Sequence, residues 1–221
     1  MSEFKLSVAA LFDGINICPK KTMVVKNGYI TKIVDCDSSQ KEIIAGTLMP
    51  GFIDVQVNGG GGYLFNQSPD LQTIEHIGRA HQNFGTTGWL PTLVTDSFEQ
   101  MQKAADAVAA ARANQTPGVL GIHFEGPYLS TIKKGVHPEH FIREISQSEI
   151  NLLSRSDLGK VVLTLAPENV TPEIIAELVT AGVIVCLGHS NASYEQTMAA
   201  LNAGATGFTH LFNAMSAFTS R

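Results

Sequence analysis

The sequence is poor in charge, in basic residues, in cysteine and in long apolar runs, and each shortage narrows what the chain can be. Only 16% of its 221 residues are charged and 44% are hydrophobic, which excludes a disordered segment and leaves enough apolar material for a sizeable core. Lys and Arg number 15 against 20 Asp and Glu, for a net charge of -5 and a pI near 5.8. That balance argues against nucleic acid or an anionic membrane as the main partner, since both select clustered cations. Local basic groups remain available for a small anion. The opening MSEFKLSVAALFDG is too polar for a secretory signal, and no stretch reaches the length of a membrane span, so the expected address is the cytoplasm. Cys18, Cys36 and Cys186 are odd in number, widely separated and without a C-x-x-C pair. Neither a disulfide framework nor a thiolate zinc knuckle is indicated, and buried structural thiols are expected. Internal repeats, low-complexity tracts and Gly/Ser linkers are also lacking.

What is present divides near Met49. Residues 1–49 read as short strands, LSVAALF, TMVVKNG and YITKIVDC, with Asn27-Gly28 as a hairpin turn in which both residues tolerate positive φ. From residue 50 to 221, apolar runs of strand length alternate with segments of helical period, the pattern of βα units around a parallel sheet. Strands are expected at GFIDVQV, GWLPTLV, VLGIHFE, VVLTLAP, VIVCLGH and GFTHLF, and helices over 70–84, 97–114, 171–181 and 193–203. Thr171-Pro172 reads as an N-cap with proline at the first helical position, and Gly182 and Gly204 mark helix ends. The stretch from Pro127 to Leu158 exceeds an ordinary βα connection and reads as a substrate loop.

A doubly wound sheet would carry G-x-G-x-x-G after its first strand, and NGGGGYLFN does not match it. Polar residues gather instead at the C-terminal ends of the strands: Gln56 and Asn58 after the first, Glu125 after the third, His189 after the fifth and His210 after the sixth. In a barrel that is one rim, where carboxylate and imidazole can surround a divalent ion and leave a position open for water. Taken singly, each reads as a structural polar residue, and only the shared position makes them a metal site. His123 faces the same way as Glu125 and reads as a core histidine or one packed behind the site, with ligation of the metal as the lesser reading. His76 and His81 are five apart on a helix, not at zinc spacing, and read as surface residues. The expected class is α/β, a (β/α)8 TIM-type barrel with a small N-terminal β-sandwich domain. Six strands are too few for closure, which takes about 250 residues, so the barrel is expected to be truncated after strand six.

The strings PGFIDVQVNG, HFEGPYL, KKGVHP, LAPE, GHSNA and THLFNAM, in this order, resemble the N-acetylglucosamine-6-phosphate deacetylases of the amidohydrolase superfamily. The resemblance implies Glu125, His189 and His210 as ligands of one divalent metal, zinc, and hydrolysis of N-acetylglucosamine 6-phosphate to glucosamine 6-phosphate and acetate. Many relatives hold a second metal with His-x-His after the first strand. Gln56 and Asn58 stand there here, and neutral amides are poor ligands beside imidazole. A mononuclear site follows, with Gln56 near the water that the metal activates, or alternatively tying down the glycine loop. His137 resembles the histidine that contacts the acetamide carbonyl or a sugar hydroxyl. The amide edges of Asn213 and Ala214, with the guanidinium of Arg221, resemble the phosphate contacts. The family's proton shuttle is an aspartate after the last barrel strand. No residue here matches it, and it is expected beyond Arg221, in the remainder of a longer enzyme. Homodimers are common in the family, so self-association is expected.

Two other readings compete. A cyclic amidase or deaminase of the same superfamily would need the missing His-x-His, and a truncated, inactive sugar-phosphate-binding remnant would bind metal without releasing acetate.

Overall fold

The computed structural model describes residues 2–37 and 42–217. The chain divides into two units, one ending at Gly51 and the other starting at Phe52.

The first unit is a four-stranded mixed sheet in the order β3-β2-β1-β4, built from β1 (Glu3–Phe12), β2 (Ile17–Lys26), β3 (Tyr29–Asp35) and β4 (Ile44–Leu48). β1 and β3 run antiparallel to β2, whereas β4 returns parallel to β1. Asn27 and Gly28 turn the β2-β3 hairpin at φ 52° and 82°, the left-handed pair that matches the twist of the flanking strands. Among the described residues the expected sandwich is represented by this one layer. Cys18 and Cys36 are free and half-buried in it, as Cys186 is in the second unit, so the thiols are less enclosed than expected.

The second unit is a six-stranded parallel sheet, a partial TIM-type barrel, in the order β12-β11-β10-β9-β8-β5. Its strands are β5 (Phe52–Val57), β8 (Thr86–Val94), β9 (Gly121–Glu125), β10 (Lys160–Leu165), β11 (Ile184–Leu187) and β12 (Gly207–Phe208). A short glycine hairpin of β6 (Gly59–Gly60) and β7 (Tyr63–Leu64) follows the first of them. The helices between strands are α1 (Leu71–Gln82), α2 (Phe98–Ala113), α3 (Gln147–Leu153), α4 (Pro172–Thr180) and α5 (Tyr194–Asn202).

Helix starts follow local chemistry. The side chains of Asp70, Ser97 and Ser193 accept the N–H three residues on, and Ser193 with Gln196 completes a reciprocal pair of caps. Ile74, Ile77, Met101, Val108, Ile175 and Leu178 from the helices pack in one buried cluster with Ile122, Phe124, Leu163, Leu165, Val185 and Leu187 from the strands. At roughly 25 cal/mol per Å² of apolar surface removed from water, that layer dominates what holds the unit together. Among the described residues, no helix is long and apolar enough to cross a membrane.

Candidate metal centre

The rim at the C-terminal strand ends is where backbone strain collects. Glu125 is the last residue of β9, His189 lies two residues beyond β11, and His210 two beyond β12. His189, His210, Phe212 and Ala214 have φ of 48°, 55°, 70° and 47°. The left-handed region costs L-residues energy, and residues are held there only when their surroundings over-determine them. Between His189 and Ala214 the backbone itself supplies part of that hold: Ser190 N–H donates to the Ala214 carbonyl at 3.1 Å. The Glu168 carboxylate, from the LAPE string, accepts the Ser190 hydroxyl at 2.7 Å and the Asn191 N–H at 2.5 Å.

One ligand atom each from Glu125, His189 and His210 lies within 4.8 Å of the others. Glu125 and His189 are buried, and His210 is exposed. Three nitrogens converge on the single oxygen Glu125 Oε1: Gln56 Nε2 at 2.8 Å, His210 Nε2 at 2.9 Å and His189 Nε2 at 3.4 Å. Burial by itself would raise the Glu125 carboxyl, but His189, His137 and His123 around it outweigh burial and bring it down to about 2. It is therefore an anion at any physiological pH. Burial opposes charge on His189 too, yet the Glu125 carboxylate and the Lys133 carbonyl together raise its pKa.

The Lys133 carbonyl can only accept, so His189 Nδ1, 3.0 Å away, carries the proton and donates it. That leaves Nε2 aimed into the cluster, buried and without a well-formed hydrogen bond, its one polar neighbour there being Glu125 Oε1 at 3.4 Å. A buried imidazole nitrogen in that state fits a cation, and a carbonyl fixing the far nitrogen is the usual way a ligating histidine is oriented.

Gln56 reaches the carboxylate rather than the glycine loop, which is tied down by other groups. His81 Nε2 bonds the Gly59 carbonyl at 3.0 Å, and His76 stacks on Tyr63 at 4.4 Å between ring centres. Both histidines were expected at the surface. They are half-buried because they brace the hairpin from α1. Asn58 points an amide nitrogen with no partner into a buried position.

His137 is buried on the long connection with Nε2 3.9 Å from Glu125 Oε2 and its ring 4.3 Å from that of His189. Its Nδ1 lies 2.8 Å from Thr95 Oγ1, and the same hydroxyl reaches the Glu125 carbonyl at 3.2 Å. Burial first, then the neighbouring His189, brings its pKa down to about 4, so it faces the cluster as a neutral ring. The Asn213 N–H is engaged by the His210 carbonyl at 2.6 Å, which leaves its exposed side-chain amide as the edge able to meet a ligand. Arg221 lies outside the described residues. Thr95, Glu168 and the Lys133 carbonyl escaped sequence reasoning. Only Glu168 had a signal, its place in a recognised string, because a backbone carbonyl has no letter in the sequence.

Residues 47–220 match the Amidohydrolase family. The chain is 55% identical over 185 residues to N-acetylgalactosamine-6-phosphate deacetylase of Shewanella sp. (strain ANA-3), a match covering 84% of this chain and 47% of that protein. The structure of N-acetylglucosamine-6-phosphate deacetylase from Pasteurella multocida superposes with a TM-score of 0.89 at 36% identity, over 98% of this chain and 59% of that one. The Mycobacterium smegmatis deacetylase, solved in complex with N-acetyl-D-glucosamine-6-phosphate, gives a TM-score of 0.86 at 30% identity, over 98% and 57%. The chain spans about half the length of the relatives it matches. On sequence and fold together, it belongs to the amidohydrolase family, among the N-acetylhexosamine-6-phosphate deacetylases.

Proposed function

We propose that Glu125, His189 and His210 hold one divalent ion, zinc, and that the protein containing this chain hydrolyses the acetamide of an N-acetylhexosamine 6-phosphate to the free amine and acetate. The observation that carries the reading is the His189 nitrogen, buried, without a well-formed hydrogen bond and directed at a carboxylate that stays ionised. A divalent ion there supplies Lewis acidity toward water and toward the amide carbonyl. The chain's own residues do the rest of the positioning. The Lys133 carbonyl keeps His189 in the tautomer that offers Nε2. Gln56 donates to the carboxylate from the position where relatives with two metals carry an imidazole, so one ion is the expected stoichiometry. His137 binds the sugar beside the acetamide, and Asn213, Ala214 and Arg221 meet the 6-phosphate. Proton delivery to the leaving amine belongs to an aspartate that none of these 221 residues matches.

The identity to the Shewanella protein favours the galacto epimer. The Mycobacterium complex favours the gluco epimer expected from the sequence strings. The rate ratio for the two substrates decides between them.

Metal analysis of the purified protein should find one zinc per chain, lost in His189→Ala and in Glu125→Gln. A protein purified without chelators that holds no divalent metal would sink the proposal. Metal without acetate release would leave the binding remnant as the better reading.

A further inference from the structure

Layers of side chains inside a parallel barrel are normally filled by bulky branched apolar residues. One layer here is polar. His123 is 2% exposed and Thr164 0%, yet they bond to each other at 2.7 Å between Nε2 and Oγ1. His123 Nδ1 reaches the Val55 carbonyl at 2.9 Å, and Thr164 Oγ1 reaches Thr209 Oγ1 at 2.7 Å. The run spans β5, β9 and β10 and ends just past β12.

Its proton order follows from the end group. The Val55 carbonyl only accepts, so Nδ1 donates. With Nδ1 donating to that carbonyl, Nε2 is the acceptor left to the Thr164 hydroxyl, and the Thr164 oxygen in turn accepts from Thr209. Every polar atom of the run is thereby committed, and neither nitrogen of His123 is free to bind an ion.

The run also lies directly beneath the residues of the candidate centre. Val55 precedes Gln56. His123 stands two residues before Glu125 on the same face of β9. Thr209 precedes His210, and the Thr164 carbonyl accepts the N–H of Gly126, just after Glu125, at 3.0 Å. Gly188, which precedes His189, is packed so tightly that a Cβ there would sit 2.9 Å from Thr164 Cγ2 and 2.9 Å from Thr209 Cβ.

We propose that the Val55 carbonyl, His123, Thr164 and Thr209 form a hydrogen-bonded floor whose function is to fix the spacing of Gln56, Glu125, His189 and His210. The floor positions these groups and does not itself touch substrate. The inference rests on the metal reading above and adds to it. An apolar layer would fill the space equally well but would supply no directional bonds from one strand's side chain to the next, and the backbone ladders alone do not fix where side chains meet an ion.

The test sets hydroxyl against shape. Thr164→Val and Thr209→Val keep the volume and remove the bond, whereas Thr164→Ser and Thr209→Ser keep the bond and remove a methyl. Each purified protein is stripped of metal, titrated with zinc against a chromophoric chelator, and loaded with cobalt for its visible spectrum. The floor predicts about a tenfold loss of zinc affinity and an altered cobalt spectrum in the valine variants, with the serine variants at the parent's affinity. Valine variants that bind zinc as tightly as the parent, with an unchanged cobalt spectrum, overturn it whatever their melting temperature. Should a valine variant not fold, serine variants that lose zinc affinity tenfold overturn it equally. A parent protein that binds no zinc sinks the metal reading instead, and so the two failures are distinguishable.

Discussion

On the helix-facing side of the six-stranded sheet, Ile122, Phe124, Val161, Leu163, Leu165, Val185 and Leu187 are buried among the helices. On the opposite side, the alternate residues Thr92, His123, Glu125 and Thr164 are just as buried, and nearly all of their polar atoms are bonded. Two neighbouring letters of β9, Phe124 and Glu125, therefore serve different ends. The period-2 alternation of a strand lets one face be chosen for cohesion and the other for chemistry. Cohesion is non-directional and tolerates exchange of similar shapes. The polar side is directional, and its demands reach the backbone, where His189 and His210 sit at φ values that only a well-held chain accepts.

The largest effect that can break this division comes from those neighbours. Phe124→Ala removes a fully buried ring and is expected to cost about 3–5 kcal/mol in denaturant unfolding. The folded fraction should still bind zinc near the parent's affinity. Glu125→Gln should do the reverse, unfolding cooperatively while losing the metal. If Phe124→Ala abolished metal binding in protein that is demonstrably folded, the two faces would not be separable.

The cohesive side was the more legible of the two in the sequence. Apolar runs of strand length place all six barrel strands, and helical period places four of the helices to within a residue or two, with Pro172 starting α4 as expected although the Thr171 side chain makes no cap bond, because these signals act over a few neighbours. Glu125, His189 and His210 could be nominated because each ends a strand and all strand ends share one rim. What the sequence did not disclose depends on segments far apart in the chain: the parallel return of β4 beside β1, the grip of His76 and His81 on the glycine hairpin, and the reach of Gln56 to Glu125 across 69 positions. α3 hides inside the long connection because its seven residues are too few for a clear period, and its capping box of Ser146 and Glu149 was the available clue.

Glu149 is a charged exception within the apolar layer, and so it sharpens the comparison. Its carboxylate is 2% exposed beside Ile150 and Leu153, accepts Arg143 Nε at 2.7 Å, and takes both the N–H and the hydroxyl of Ser146. Arg143 also bonds the Asp96 carbonyl at 2.9 Å and the Phe141 carbonyl at 2.8 Å, so the pair fastens the connection that carries His137. Arg143 is only half-buried, so water partly compensates it, and Glu149→Ala is expected to cost about 2 kcal/mol, chiefly through the lost charge-assisted hydrogen bonds. Cutting the exposed Lys103–Glu99 pair on α2, which water and salt screen, should leave the melting temperature almost unchanged. Equal costs by thermal unfolding would mean that the buried charge is merely tolerated, without a fastening role.

The last contrast belongs to the polar side alone and is read in metal-stripped protein. His137 has an ordinary value of 6.5 and a folded value brought down to about 4, so between those limits the unfolded chain binds a proton that the native one refuses. Native stability must then fall as pH drops from 6.5 to 4, by something on the order of 2 kcal/mol. Glu125 extends the loss with the same sign between its ordinary value of 4.5 and about 2. His189 works oppositely, since its raised value contributes stability at low pH that fades as the ring deprotonates. Chemical denaturation at successive pH values, repeated with His137→Asn, separates the contributions. The variant should lose the slope between 6.5 and 4 and keep the one below 4.5. A parent curve that is flat from pH 6.5 to 4 would mean that His137 is open to water in the folded chain, and with it the enclosed character of the polar side.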